Sequence, residues 1–126
     1  MVTIVKDIDR INEILQQHKD CNAQIWAYSI SLRRMAVRLW TDIKGEQLML
    51  VCGGVFYIQG FIERENANVS LSRRPDDMHE WAYTLTDDAA GFKLLAYNGI
   101  ILARGDFSDF NLHFDSLFDF EKAIDE

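Results

Sequence analysis

The first twenty residues place apolar side chains at helical spacing. Isoleucines recur at i, i+4 and i+7 from Ile4, and Leu15 extends the same stripe, which is typical of a helix with one buried face. Thr3 is a suitable N-cap, and acidic residues near the start suit the helix dipole. The pattern therefore predicts an amphipathic helix that begins after Thr3 and ends between His18 and Asn22.

From Asn22 onward the spacing of apolar residues changes to every second position, as in strands with one buried face. Apolar residues occupy the even positions of 26–32 and the odd positions of 35–39. One extra residue inverts the facing pattern of a strand. The pair Arg33-Arg34 is therefore predicted to lie in a β-bulge or a tight turn.

Glycines and polar clusters divide the middle of the chain. The apolar run 47–62 is too long for one unbroken strand, and Gly53-Gly54 within it predicts a bulge, a bend or a close approach of two backbones. Further strands are predicted around 68–72 and 81–85, with a polar loop between them.

Asn98-Gly99 separates two apolar runs, 92–97 and 100–104. A two-residue Asn-Gly loop favours the type I′ turn of a β-hairpin. Since both faces of the two runs are apolar, we expect this hairpin to lie centrally and to be covered on two sides.

The tail permits two interpretations, because its phenylalanines fit both spacings. It is either a strand over 110–114 followed by a short helix that ends at Ile124, or a single helix. Strands and helices do not alternate in βαβ order, so a parallel sheet is not expected. The sequence predicts one α+β domain over residues 1–126. Its antiparallel sheet of about six to eight strands in meander hairpins is strongly curved or barrel-like, with an N-terminal amphipathic helix and a short C-terminal helix.

Composition narrows the class of protein. Hydrophobic residues make up 48% of the chain and charged residues 26%, as in ordinary globular domains. The sequence contains no apolar stretch of the ~20 residues that a membrane span requires, and its start lacks a signal-peptide pattern. Cys21 and Cys52 show no disulfide or metal-binding motif. We therefore expect a cytoplasmic protein without metal, cofactor or membrane contact.

The net charge of −7 is concentrated near the end of the chain. Residues 106–126 hold seven acidic residues and one basic residue, so the rest of the chain is close to neutral. Nonspecific nucleic-acid binding depends on Lys and Arg replacing counterions, so a nucleic-acid partner is not expected.

No catalytic motif is visible. The adjacent carboxylates Asp76-Asp77 and Asp87-Asp88 are predicted to cap turns, as Asp does in loops, and no serine lies in a nucleophile-elbow pattern. The sequence therefore predicts no catalytic residue and favours a protein that is not an enzyme.

Paired arginines are the first candidate binding residues. Arg33-Arg34 and Arg73-Arg74, with Arg38 near the first pair, could hold an anionic ligand or the acidic face of a partner if they converge, because guanidinium groups match carboxylates and phosphates. Alternatively, they are solvated residues of turns, or edge charges that prevent strands from aggregating.

Clustered phenylalanines are the second candidate. Residues 107–120 contain five of the eight phenylalanines, including Phe110 and Phe114, interleaved with aspartate. These rings either complete the core or form an acidic docking surface with aromatic anchors.

Two functions follow from these features. The first is a non-enzymatic interaction or regulatory module that binds another protein or forms a homo-oligomer, through an exposed strand or the Phe-rich tail. The alternative is a small-molecule-binding domain or minimal enzyme. Its pocket in the curved sheet would be lined by rings such as Trp81 and Tyr83, with Arg38 or His79 as a polar anchor.

Overall fold

The computed structural model describes residues 2–30, 33–41, 46–106, 110 and 124–126. Within these residues the chain forms nine strands, one α-helix and one short 3₁₀ turn. In chain order the elements are β1 (Thr3–Val5), α1 (Ile8–Gln17), β2 (Cys21–Ser29), β3 (Arg34–Trp40), β4 (Gln47–Gln59), β5 (Glu63–Ala67), β6 (Ser70–Pro75), β7 (Trp81–Asp87), the 3₁₀ turn (Asp88–Ala90), β8 (Phe92–Gly105) and β9 (Ile124–Asp125).

The nine strands form one mixed sheet with a fork. Strands β5, β2, β3, β4 and β8 are neighbours in that order. Beyond β8 the sheet divides: the first part of β8 pairs with β7, which pairs with β6, and the last part pairs with β1, which pairs with β9. The β1–β9 pair is parallel and the others are antiparallel. The described strands do not close on themselves, so the barrel-like form of the predicted curved sheet is wrong. The sheet is mixed and not antiparallel throughout, and its nine described strands exceed the predicted six to eight.

The helix begins later than the sequence pattern predicts. Asp7, not Thr3, is the N-cap, and its Oδ2 accepts a hydrogen bond from the backbone N–H of Arg10 at 2.9 Å. Ile4 belongs to β1, in front of the helix. A strand of three residues is too short to show the alternation of apolar and polar residues that is typical of strands. The helical spacing between Ile4 and the isoleucines of α1 is therefore a coincidence.

Two apolar layers cover the two faces of the sheet. The larger layer lies between the sheet and α1, which contributes Ile11, Ile14 and Leu15. Alternate residues of the central strands point into this layer: Val37, Leu39, Leu48, Leu50, Cys52, Leu94 and Leu102. The layer on the other face contains Ile4, Ala36, Met49, Val51, Ala103 and Phe110. Each fully buried Leu or Ile contributes about 1.5–3 kcal/mol, so the helix-facing layer dominates stability.

The predicted hairpin at Asn98-Gly99 is wrong, because β8 continues through these residues as one long strand. It pairs with β4 along both sides of Asn98-Gly99, and the register shifts after Gly53. The predicted bulge at Gly53-Gly54 is confirmed. Gly54 has φ +66°, and a Cβ there would lie 2.9 Å from the Asn98 side chain. Pairing with β4, a strand that is distant in the sequence, thus takes the place of the predicted turn at Asn98-Gly99.

Of three further segments, one matches one of its two predicted forms, one differs from its prediction, and one lies largely outside the described residues. The chain turns before Arg34, with the N–H of Arg33 donating to the carbonyl of Ile30 at 3.4 Å, so the phase change marks a tight turn. Strand β6 extends to Pro75, into the predicted polar loop. The predicted C-terminal strand and helix lie outside the described residues apart from Phe110 and Ile124, and Ile124 belongs to β9, not to a helix.

Candidate functional site

The fork leaves part of one strand edge unpaired. Strand β8 pairs with β7 up to Ala96 and with β1 from Leu102. Among the described residues, no strand pairs with 97–101 on this side, although β4 pairs along the other side. We call residues 97–101 the open edge. An unpaired strand edge presents backbone N–H and C=O groups that can bind an added strand.

A cavity of about 680 Å³ lies against the open edge, and we call it the fork cavity. Its charged lining residues come from three parts of the chain. They are Lys6, Asp7 and Asp9 at the start of α1, Arg34 at the start of β3, and Arg73 in β6. Three cations and two carboxylates leave the lining with an excess of one positive charge, in a protein whose net charge is −7.

Two glycines form part of the cavity lining. Gly53 of β4 pairs with Gly99 of β8, so neither position has a side chain to fill the space. Met35 of β3 pairs with Cys52 of β4, and the two strands are antiparallel. The residue before Met35, which is Arg34, therefore lies beside the residue after Cys52, which is Gly53. The open space is at Gly99, where a Cβ would meet no atom within 4 Å, whereas at Gly53 it would lie 3.3 Å from Asn98 Cβ.

Arg73 is positioned by aromatic neighbours. Its guanidinium carbon lies 4.2 Å from the centre of the Trp81 ring, a cation–π distance that limits the freedom of the side chain. Arg73 also pairs across the strands with Tyr83, which packs against the core and lines the cavity. The structure therefore brings together Arg34, Arg73, Trp81 and Tyr83 among the residues that the sequence singled out.

The acidic residues of the cavity differ in their roles. The carboxylate of Asp7 is engaged as the N-cap of α1, and it offsets the positive end of the helix dipole. Asp9 is exposed in the first turn. Lys6 lies 3.8 Å from Asp125, with both side chains mostly exposed, so this ion pair is weak and its cation remains accessible.

The other predicted arginines lie elsewhere. Arg33 and Arg74 are exposed and do not line the fork cavity. Arg38 lies between the rings of Trp26 and Trp40, at 4.9 and 4.2 Å from their centres. Desolvation lowers the pKa of Arg38. Arg38 does not line the fork cavity, so it is not an anchor for a ligand there.

The predicted aromatic residues of the tail have separate outcomes. Phe110 is 8% exposed and packs in the layer opposite α1, which favours a core role for that ring. Phe114 lies outside the described residues.

The sequence did not predict a role for Lys6, Asp9 or the open edge, because no local pattern indicates where a sheet divides.

A second surface feature is a stack of three rings. Tyr97 stacks on Phe56 at 4.0 Å and on His79 at 3.7 Å between ring centroids. Asp76 accepts hydrogen bonds from the backbone N–H groups of Met78 and His79, which confirms its predicted turn-capping role. The neighbouring His79 ring and these N–H groups hold the pKa of Asp76 below its usual value.

Within the described residues, no group of three or more His, Cys, Asp or Glu side chains could hold a metal ion. No described helix is long and apolar enough to cross a membrane. Comparison of the chain with protein-family models, with curated proteins and with solved structures finds no match.

Proposed function

We propose that the protein is a non-enzymatic binding module that holds a small anionic molecule in the fork cavity. The observation that carries this proposal is that the lining of one cavity includes Lys6, Arg34 and Arg73, from three separate parts of the chain. Of the two functions that the sequence predicts, this is the small-molecule alternative. The predicted cytoplasmic location and the absence of a nucleic-acid partner are retained in it.

The chemistry of the cations supports an anionic ligand. Guanidinium groups bind carboxylates and phosphates through two parallel hydrogen bonds, about twice as strong as neutral ones. Arg73 is held by its stacking on Trp81, so binding costs it less side-chain entropy than a free arginine. The cavity volume is within the range of about 300–1,000 Å³ that is usual for small-molecule sites.

The paired arginines provide matched controls for a binding experiment. Citrate and inorganic phosphate should be titrated into the protein by calorimetry, and Trp fluorescence followed in parallel, because a ligand on Arg73 disturbs the Trp81 stack. We expect Arg34→Gln and Arg73→Gln each to weaken anion binding about tenfold, about 1.4 kcal/mol. Arg33→Gln and Arg74→Gln remove the same charge outside the cavity and should change the dissociation constant less than about twofold.

The proposal is contradicted if neither anion binds at millimolar concentration. It is also contradicted if the four variants weaken binding equally, because the effect is then one of net charge and not of the cavity. Circular dichroism and thermal unfolding of each variant establish that the fold is intact.

The interaction module is a second proposal, supported by the exposed ring stack. Phe56 is 41% exposed and the nearby Met78 87% exposed, and exposed aromatic residues are typical anchors of protein interfaces. We propose a second copy of the chain as the partner. Sedimentation velocity should show a concentration-dependent dimer that Phe56→Ser abolishes. Ile62→Ser, an exposed apolar position outside the stack, should not abolish it. A monomer at all concentrations would contradict this proposal.

A further inference from the structure

We propose that the fork cavity binds a short peptide with a free carboxyl terminus, which pairs as an added strand with the open edge. This inference rests on the proposed anion-binding function and names its ligand class. Because no described strand pairs with 97–101 on the cavity side, a ligand with its own backbone N–H and C=O groups can complete the sheet there. Peptides bind other proteins in this way at exposed strand edges.

The dimensions of the open edge set the length of the peptide. Five strand residues at about 3.4 Å per residue span about 17 Å. Strands β7 and β1 occupy the sheet edge on either side, so an extended peptide of about three residues fits between them. Gly99 leaves space in the middle of the edge, since a Cβ there would meet no atom within 4 Å, and a peptide side chain can lie in that space.

The distribution of charge sets the direction of the peptide. Arg73 lies across β7 from the end of the open edge next to Ala96, through its pairing with Tyr83. Lys6, Asp7 and Asp9 follow β1, which pairs with the other end of β8, so that end has an excess of one negative charge. An antiparallel peptide therefore directs its carboxylate toward Arg73 and its ammonium group toward the carboxylates. Antiparallel pairing is also what β7 and β1 adopt against β8.

Trialanine and three modified forms test each part of this arrangement. Calorimetric titration should give binding of trialanine, and the C-terminal amide should bind at least tenfold more weakly because it lacks the carboxylate. N-acetylation should weaken binding less, about threefold, because Asp7 is already engaged as the N-cap of α1 and Lys6 offsets part of the negative charge at that end. Two further peptides carry an N-methyl group on the backbone nitrogen of residue 2 or of residue 3. Only one of these two peptides should bind more weakly than trialanine, since successive residues of a strand present their N–H groups to opposite sides.

Variants tie the effect to the site. In Arg73→Gln the difference between trialanine and its amide should disappear, whereas Arg74→Gln should keep it. Three outcomes are distinct. Preference for trialanine over its amide, lost in Arg73→Gln, supports the inference. Binding of phosphate or citrate without binding of trialanine overturns the peptide inference and leaves the anion-binding proposal standing. Failure of all these probes with a folded protein overturns both.

Discussion

The side chain of Asn12 serves as a strand partner for β6. Its Nδ2 donates to the carbonyl of Leu71 at 2.7 Å, and its Oδ1 accepts from the N–H of Leu71 at 2.8 Å. Leu71 is only 4% exposed, so water has little access to replace these bonds. One amide thus joins the only described α-helix to an edge strand of the sheet.

Replacement of Asn12 by alanine should be costly for this reason. It leaves a buried N–H and a buried C=O of Leu71 without partners, at about 1–3 kcal/mol each. Alanine regains about 0.6 kcal/mol through its higher helix propensity. We therefore expect Asn12→Ala to lower the free energy of unfolding by about 1.5–5.5 kcal/mol, a large part of the 5–15 kcal/mol of a typical domain.

Urea denaturation followed by far-UV circular dichroism measures this change, provided that the slope of the transition is the same in both proteins. Gln16→Ala, at an exposed position of the same helix, is the matched control and should change stability by less than about 0.5 kcal/mol. Asn12→Asp keeps the acceptor for the Leu71 N–H but places an oxygen against the Leu71 carbonyl, so it should destabilise at least as much as alanine. If Asn12→Ala is as stable as Gln16→Ala, the two hydrogen bonds do not hold the helix to the sheet and the reasoning is refuted.

Three further predictions concern other parts of the fold. Gly54→Ala should cost about 1–3 kcal/mol and more than Gly91→Ala in the same urea titration, because both have positive φ but only Gly54 lacks space for a Cβ; equal costs would contradict the close approach. Hydrogen bonding to Arg10 holds the pKa of Glu126 below its usual value, so its stabilising contribution is present above about pH 4.3 and is lost as the pH falls through the lowered pKa. Glu126→Gln should reduce the fall in urea midpoint between about pH 5 and pH 3, and an unchanged fall would argue against this ion pair. Burial raises the pKa of Cys52 to about 12, so mass spectrometry should find it alkylated by iodoacetamide only in denaturant; labelling of the native protein would indicate local opening.

Local chemistry predicts some features of the fold, and non-local pairing determines others. Gly53-Gly54 was predictable as a bulge because glycine tolerates positive φ wherever it lies. Asn98-Gly99 carries the same kind of local signal, but the strand opposite it supplies hydrogen bonds on both sides, so a turn does not form. The start of α1 was predicted too early because the side chain of Ile4 is buried on the sheet face opposite α1. The spacing of apolar residues along the sequence does not show which face a side chain occupies.

The candidate site was predictable in its residue types but not in its geometry. Arg73 and Arg74 are adjacent in a strand, so their side chains point to opposite faces, and only one of them reaches the cavity. A period of two predicts that separation once the strand is known, but the sequence predicted a loop there. The presence of Arg34 and Arg73 in the lining of one cavity depends on the fork in the sheet, which is a property of topology and not of any short segment.

The pairing of β1 with β8 has a consequence for how the chain acquires its structure during synthesis. Thr3 pairs with Arg104, and Val5 pairs with Leu102, so about a hundred residues must be made before the first strand meets its partner. Contacts of such long sequence separation slow folding, because loop closure precedes any stabilisation. Residues 3–5 therefore stay without their partner strand until β8 has been synthesised, and an unpaired strand exposed for that time favours aggregation.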